Sequence, residues 1–161
     1  MIIRTATIDD LDEIYKVESI CFSESEAASK SKIKERLKHY PNHFWLIFDE
    51  AKLIAFIDGL VTNKKDLSDE MYENASLHDE NGDWQMIFGL NTLPEYRKQG
   101  YASKLIKQVI DCAENEKRLG VVLTCKKELI NYYSKFGFVD EGISESKHGG
   151  VVWHQMRLKL K

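Results

Sequence analysis

The sequence has few cysteines, no excess of basic residues and no long apolar run, and each of these absences excludes a class of protein. The three cysteines, Cys21, Cys112 and Cys125, are too few and too widely spaced for a disulfide framework or a zinc site. We expect them to be buried thiols in a reducing compartment. The 23 basic and 26 acidic residues give a formal net charge of -3, which argues against a general nucleic-acid binder.

No apolar stretch approaches membrane-spanning length, and Met1–Arg4 begins a strand rather than a signal peptide. We therefore expect a cytoplasmic protein with no membrane partner. Hydrophobic residues make up 43% of the 161 residues and charged residues 30%, which is typical of soluble globular proteins. The chain has no internal repeat, low-complexity tract or dividing linker, so residues 1–161 are predicted to form a single domain.

Hydrophobic periodicity predicts the order strand, two helices, three strands, helix, strand, helix, two strands. The seven strands are predicted at residues 2–6, 43–48, 53–61, 84–91, 121–125, 139–144 and 151–160. Helices are predicted at residues 11–21, in a segment ending near residue 40, and at about 101–118 and 128–135. Asp58 interrupts the third strand, and we expect it at an outward or edge position; the alternative is a carboxylate that faces a site.

Residues 63–83 differ from the rest of the chain because they are strongly acidic. The segment has seven Asp or Glu residues against two lysines, and it is longer than most connections within a domain. Two interpretations are equally supported: a binding loop or lid, and a solvated, partly helical excursion. If the segment borders a pocket, its negative charge favours a cationic substrate.

The stretch Pro94–Leu105 joins the strand at 84–91 to the longest predicted helix. At its core, Arg97, Gly100 and Ala102 follow the spacing Arg-x-x-Gly-x-Ala. A glycine lets the main chain approach a ligand closely, and a helix N-terminus presents unpaired N–H groups and partial positive charge. The stretch therefore predicts a phosphate site with Arg97 and Lys98 at its rim. On its own the pattern is equally compatible with a helix that binds nothing.

A second motif, Tyr132-Tyr133-x-x-Phe136-Gly137-Phe138, follows at about the expected distance. With these two motifs and this order of elements, essentially the whole chain resembles the GNAT (Gcn5-related N-acetyltransferase) superfamily. It is most similar to the arylalkylamine N-acetyltransferase group, through Ala55-Phe56-Ile57-x-Gly59, Ala75-Ser76-Leu77-His78, Arg97-Lys98-Gln99-Gly100 and Leu123-x-Cys125. The resemblance implies an α/β (α+β) fold with a central, mixed, mostly antiparallel seven-stranded sheet. The sheet would contain a splayed parallel pair and be flanked by about four helices.

The resemblance also implies acetyl-CoA as co-substrate and no metal. Acetyl-CoA would enter between the strand ending near Asn91 and the strand at 121–125. Its pantetheine arm would pair with Leu90, Asn91 and Thr92, and a backbone N–H near Gly89 would face the acetyl carbonyl. Its pyrophosphate would lie on the residues of the phosphate motif: Arg97, Lys98, Gln99, Gly100, Tyr101, Ala102 and Ser103. A homodimer is an assembly that the resemblance allows.

The reaction implied is direct attack of an amine on the thioester, with Tyr133 as the general acid for the leaving thiolate. The alternative for Tyr133 is a core tyrosine that only packs. The arylalkylamine enzymes carry two histidines on the strand before the phosphate motif, and the matching positions here are Met86 and Phe88, neither of which can take a proton. Other sources of a base are a water chain, Glu18, Glu24, His148 and His154. For each of these side chains a surface or packing role is favoured.

The sequence thus predicts an acetyl-CoA-dependent N-acetyltransferase acting on a small aryl or alkyl amine. Four side chains are candidates for the walls of its substrate pocket: Phe22, Phe56, Met86 and Phe88. Two alternatives stay open. One is a protein acetyltransferase acting on N-termini or lysines, and the other is a CoA-binding module that has lost catalysis.

Overall fold

The computed structural model describes residues 1–160, and their contacts divide the chain into two units. The first unit contains residues 1–59 and 89–109, and the second contains residues 60–88 and those from 110 onward. Within residues 1–160 the nine strands are β1 (Ile2–Thr5), β2 (Phe44–Asp49), β3 (Lys52–Asp58), β4 (Val61–Thr62), β5 (Trp84–Ile87), β6 (Gly89–Thr92), β7 (Gly120–Cys125), β8 (Val139–Ile143) and β9 (His154–Lys159). The α-helices of the described chain are α1 (Leu11–Cys21), α2 (Lys30–His39), α3 (Asp69–Glu73), α4 (Tyr101–Asn115) and α5 (Ile130–Ser134).

The first unit is built on a four-stranded antiparallel sheet in the order β1-β2-β3-β6. Helix α1 packs on β3, β6 and α2, with Ile14 and Val17 buried beneath it. A turn at Ile8–Asp10 precedes α1, and Thr7 and Asp10 form a capping box at its start. The position of α1 is therefore fixed from its first turn, and this matters because α1 contributes side chains to the site below.

The second unit is built on a five-stranded sheet in the order β4-β5-β7-β9-β8. Its β5 and β7 run parallel, and the other neighbours are antiparallel. The strand predicted at residues 121–125 is confirmed as β7, and its residues Val121, Val122 and Leu123 are buried. In the part of the chain that the structure describes, no helix combines the length and apolar character needed to cross a bilayer.

The predicted fold class is confirmed, but the strands number nine rather than seven and belong to two sheets. The strand predicted at residues 84–91 divides at Phe88, because β5 pairs with β7 in the second unit while β6 pairs with β3 in the first. The last strand begins at His154 rather than Val151, because Gly149 and Gly150 adopt positive φ in a tight turn before it. The alternation of apolar residues continues across Phe88, so this pattern does not show that the partner strand changes there.

The acidic segment at residues 63–83 is tied to the second sheet. Arg157 on β9 is 2% exposed; it donates to the Lys65 carbonyl at 2.7 Å and to the Asp66 carboxylate at 2.7 Å. Gln155 accepts from the Leu67 N–H at 3.1 Å, which adds a third anchor. Within the segment, α3 forms and Tyr72 is buried. The segment is therefore partly helical, as one of the two interpretations expects, and Arg157 neutralises part of its negative charge.

Candidate functional site

The loop between β6 and α4 has the backbone geometry of an anion-binding loop. Lys98 and Gly100 adopt positive φ, at 62° and 88°, so the chain turns sharply before the helix. A Cβ added at Gly100 would meet no atom within 4 Å, so the space beside the backbone is open. Residues 97–100 are all exposed. A ligand can thus approach the main chain at this turn.

Helix α4 begins directly after Gly100. Its first hydrogen bond runs from the Lys104 N–H to the Gly100 carbonyl at 3.1 Å. The N–H groups of Tyr101 and Ala102 therefore come before the first i to i−4 hydrogen bond of the helix. Arg97 Nε donates to the Thr92 carbonyl at 2.9 Å, which fixes this cation at the end of β6. The structure therefore brings the predicted residues 97–103 together at a helix start with partial positive charge.

Strand β6 ends the sheet of the first unit, because only β3 pairs with it. The Leu93 N–H donates to the Ile54 carbonyl at 2.9 Å, and backbone groups alternate in direction along an antiparallel strand. The backbone groups of Leu90 and Thr92 therefore face away from β3, whereas those of Asn91 face towards it. The Thr92 carbonyl already accepts hydrogen bonds from Arg97 and from the Cys21 thiol. An extended ligand can pair with the outer edge at Leu90.

A buried charged cluster lies behind β6, formed by one side chain from each of α1, α2 and β3. Arg36 Nη1 donates to Asp58 Oδ2 at 3.2 Å, and the Ala28 N–H donates to Glu18 Oε2 at 2.9 Å. Glu18, Arg36 and Asp58 are 6%, 6% and 2% exposed. Two buried carboxylates therefore share one guanidinium, and charges removed from water in this way are costly unless they are paired.

Gly89 lies at the centre of this cluster. A Cβ built on it would lie 3.1 Å from Asn91 Nδ2, 3.2 Å from Asp58 Oδ1 and 3.6 Å from Glu18 Oε1. Three polar atoms from three elements thus converge beside the glycine, and a side chain there would displace them. Asn91 has no exposed surface, and its amide lies close enough to Glu18 to lower the pKa of that carboxyl.

Burial shifts both carboxylates towards their protonated forms. Loss of hydration raises the pKa of Asp58 to about 7; Arg36 and the Gly89 N–H oppose this rise, and the charge of Glu18 adds to it. Burial likewise raises the pKa of Glu18, against the lowering effects of the Ala28 N–H, Arg36 and the nearby Asn91 amide. A proton is therefore held more tightly in this cluster than on an ordinary carboxylate.

Two expectations from the sequence are wrong here. Asp58 is buried rather than at an outward or edge position, because β3 is covered on both faces, and Glu18 is buried rather than on the surface. The helical pattern of the sequence does indicate that Glu18 and Arg36 are buried. Glu18 follows Ile14 and Val17 at helical spacing, and Arg36 stands beside the buried Ile33 and Leu37 in α2, so each charge falls within an apolar stripe.

Tyr133 lies on α5 in the second unit. It is 7% exposed, and its ring packs edge-on against Tyr132 at 5.3 Å and Phe138 at 6.0 Å. Burial raises the pKa of Tyr133, and nearby Cys125 and Tyr132 add to the rise. The phenol therefore keeps its proton at neutral pH, as an acid must before it donates.

The other sequence candidates for a base lie in less suitable places. Glu24 is exposed on the connection after α1. In the second unit His148 stacks on Tyr72 at a centroid distance of 4.8 Å, and His154 Nδ1 lies 3.4 Å from Asp140 Oδ1. Neither histidine is both buried and beside a cluster of polar atoms, as Glu18 is.

The four predicted pocket residues are divided between the two units. Phe22 and Phe56 belong to the first unit, and Met86 and Phe88 belong to the second. Phe56 stacks on Phe44 in the interior and Met86 is fully buried, whereas Phe22 and Phe88 are partly exposed.

An aromatic cluster in the second unit was not predicted. The ring of Tyr72 lies 4.7 Å from Phe88 and 4.8 Å from His148, and its hydroxyl is 3.2 Å from Thr124 Oγ1. The residues come from α3, the end of β5 and the turn before β9, so no local pattern could have placed them together.

Comparison with known proteins gives the family and the fold. A model of the acetyltransferase (GNAT) family matches residues 9–138. A curated serotonin N-acetyltransferase from Mesocricetus auratus is 27% identical over 115 residues, which are 71% of this chain and 54% of that protein. The chain thus spans about half the length of this relative.

Solved structures of similar fold include the two described here. The loading GNATL domain of CurA from Lyngbya majuscula has a TM-score of 0.84 at 18% identity, covering 98% of this chain and 96% of that one. The GphF GNAT-like decarboxylase in complex with isobutyryl-CoA also has a TM-score of 0.84 at 18% identity, covering 100% of both chains. At this level of identity the likeness concerns the fold alone.

The buried cluster predicts a fall in stability as the pH rises. Asp58 has a folded pKa of about 7 against an ordinary value of 3.8, so its contribution to the free energy of unfolding is fully present below about pH 4 and is lost as the pH rises through 7. Asp58→Asn should flatten this dependence by on the order of 2–4 kcal/mol between pH 4 and 7, measured by urea unfolding. Glu35→Gln, on the exposed face of α2, is the matched control. An unchanged slope in Asp58→Asn would contradict the assignment.

Proposed function

Because the chain belongs to the acetyltransferase (GNAT) family, we propose that it transfers an acetyl group from acetyl-CoA to a primary amine. The observation that carries this proposal is the loop at residues 97–103, where a positive-φ glycine, a helix start and an anchored arginine meet. The curated relative is a serotonin N-acetyltransferase, and a protein of similar fold holds isobutyryl-CoA, which supports an acyl-CoA ligand. We further propose that residues 1–161 form a single acetyltransferase domain, since the family model runs through segments of both units.

The residues of the first unit fit the chemistry of acetyl-CoA. A pyrophosphate carries negative charge and several acceptor oxygens, which suit the N–H groups from Lys98 to Ser103 and the side chain of Arg97. The pantetheine arm is extended and contains amides, which suit the outer edge of β6. Of the predicted residues Leu90, Asn91 and Thr92, the backbone of Leu90 is the best placed for this pairing.

Tyr133 supplies the proton that the leaving thiolate needs. The amine lone pair attacks the thioester carbonyl carbon, the carbon–sulfur bond breaks, and the sulfur takes the phenolic proton. The nitrogen then loses its extra proton to solvent and becomes the neutral amide, and the Tyr133 phenolate regains a proton from solvent. A positioned general acid contributes roughly 10²- to 10⁴-fold to such a step. Most of the remaining acceleration comes from holding the two substrates together.

The acceptor we propose is a small aryl or alkyl amine, on the arylalkylamine resemblance and the curated relative. An N-terminal or lysine acetyltransferase has the same chemistry with a larger acceptor. The assay that separates them measures thiol release from acetyl-CoA with phenethylamine, tryptamine, spermidine and a lysine peptide, with product masses as confirmation. We expect turnover with one of the aryl amines. Turnover with the peptide alone would replace the small-amine proposal, and none with any acceptor would contradict the acetyltransferase.

Tyr133→Phe should lower kcat by about 100-fold and leave the affinity for acetyl-CoA unchanged, because it removes one proton donor and keeps the ring that packs on Phe138. Tyr132→Phe is the matched control, since it removes a hydroxyl from the neighbouring residue of the same short helix. The measurement is steady-state thiol release together with acetyl-CoA binding by calorimetry. Equal kcat in wild type and Tyr133→Phe would remove Tyr133 from the role of acid.

A further inference from the structure

The aromatic cluster of the second unit lies where two parallel strands stop pairing. The last paired residues of β5 and β7 are Ile87 and Leu123, so Phe88 and Thr124 are the first residues beyond the pair. The Tyr72 ring lies 4.7 Å from the Phe88 ring, and the Tyr72 hydroxyl lies 3.2 Å from Thr124 Oγ1. Ligands of α/β sheets commonly bind beyond the carboxyl ends of parallel strands. The cluster therefore stands at a position suited to a substrate.

The cluster and the proposed acid lie on opposite faces of β7. Thr124 and Cys125 are successive residues of this strand, so their side chains point to opposite faces of the sheet. Tyr72 contacts Thr124, whereas Tyr133 lies close enough to Cys125 for that thiol to raise the pKa of its phenol. An amine held by the cluster can therefore attack a thioester at the end of β7 from one side while the acid protonates the sulfur from the other.

The ring of Tyr72 holds the other two rings of the cluster. It stacks on His148 at a centroid distance of 4.8 Å and an interplanar angle of 10°, and it lies 4.7 Å from Phe88. Tyr72 is 9% exposed, whereas Phe88 and His148 are only partly buried. Phe88 and His148 therefore keep surface that a ligand can reach, and Tyr72 fixes their positions.

Asp69 fastens the turn that carries His148. Its Oδ1 accepts from the Ser146 hydroxyl, and its Oδ2 accepts from the Lys147 N–H at 2.8 Å. On the other side of the turn, Trp153 Nε1 donates to the His148 carbonyl at 2.7 Å. Asp69 begins α3, three residues before the ring at the centre of the cluster. The same short helix thus positions the buried ring and the turn that stacks on it.

We propose that Phe88 and His148 form an acceptor wall on which the aromatic ring of the amine packs, and that Tyr72 and Asp69 are positioning residues of this wall. The inference rests on the proposed function, and it names the residues that select the acceptor. Aromatic rings that meet edge-on or offset attract one another beyond what their buried area gives. An aryl amine therefore gains a contact at the acceptor wall that an alkyl amine does not make.

The test compares phenethylamine with butylamine, which is also a primary amine but has no ring. The measured quantity is the aryl preference, defined as the ratio of kcat/KM for phenethylamine to kcat/KM for butylamine. His148→Ala and Phe88→Leu should each lower the aryl preference by about 10-fold and leave KM for acetyl-CoA unchanged. A residue that only stabilises the fold would affect both amines equally, so the ratio separates recognition of the ring from a structural role.

Asp69→Asn tests the positioning role. The amide offers one acceptor oxygen in place of two, so the turn loses one of its two hydrogen bonds to α3. The aryl preference should fall by about 5-fold. Glu70→Gln, at the exposed neighbouring position of the same helix, is the matched control and should keep the wild-type preference. Equal preferences in Asp69→Asn and the wild type would remove Asp69 from the positioning role.

A binding measurement gives a readout that does not depend on turnover. Proton NMR follows the His148 ring in the wild-type protein saturated with CoA, and His148→Ala identifies its signals. Phenethylamine should shift these signals, because a ring packed on His148 changes their magnetic environment, and butylamine should shift them much less. Equal shifts with the two amines would contradict the acceptor wall.

Failure of the acceptor wall and failure of the proposed function are distinguishable. If the wild type acetylates phenethylamine but His148→Ala and Phe88→Leu both keep the aryl preference within about 2-fold, the acceptor wall is wrong and the proposed function stands. A wild type that acetylates both amines with no aryl preference has the same meaning. If the wild type transfers an acetyl group to no acceptor, the proposed function fails, and the NMR shifts alone decide whether the acceptor wall binds an aryl amine.

Discussion

One guanidinium serving two buried carboxylates is the constraint on which the site of the first unit depends. Arg36 hydrogen-bonds Asp58 and acts on Glu18 at longer range, and all three are nearly inaccessible to water. Because burial removes hydration from both carboxylates and Arg36 offsets only part of that cost, the cluster favours a proton at a pH where ordinary carboxylates are ionised.

The same cluster also sets the geometry of β6. Asp58 pairs with Gly89 in the register of β3 and β6, and the Gly89 N–H hydrogen-bonds the Asp58 carboxylate. That register directs the backbone of Leu90 outward at the edge of the sheet, and Arg97 is anchored at the end of the strand. The buried cluster and the proposed acetyl-CoA contacts are thus linked through the four residues of β6.

Local signals predicted the features that depend on neighbouring residues. The Thr7–Asp10 capping box, the helix start after Gly100 and the buried strand β7 all follow from spacing and side-chain type. The buried cluster could not be predicted in this way, because Arg36 and Asp58 are 22 residues apart and meet only through packing. The division of the strand at Phe88 is likewise set by two different partner strands. The burial of Glu18 and Arg36 lies between these cases, since each charge falls within an apolar helical stripe.

The effect of burial on the pKa values of the two carboxyls is tested most directly by a titration of the wild-type protein. Carbon-13 NMR of the side-chain carboxyl carbons of Asp58 and Glu18 would report the protonation of both groups as the pH is raised from 4 to 9. The structure predicts that the pair still holds a proton at pH 6 and releases it near pH 7. If both carboxyls are fully ionised by pH 5, burial does not raise their pKa values, and this account of the cluster is contradicted.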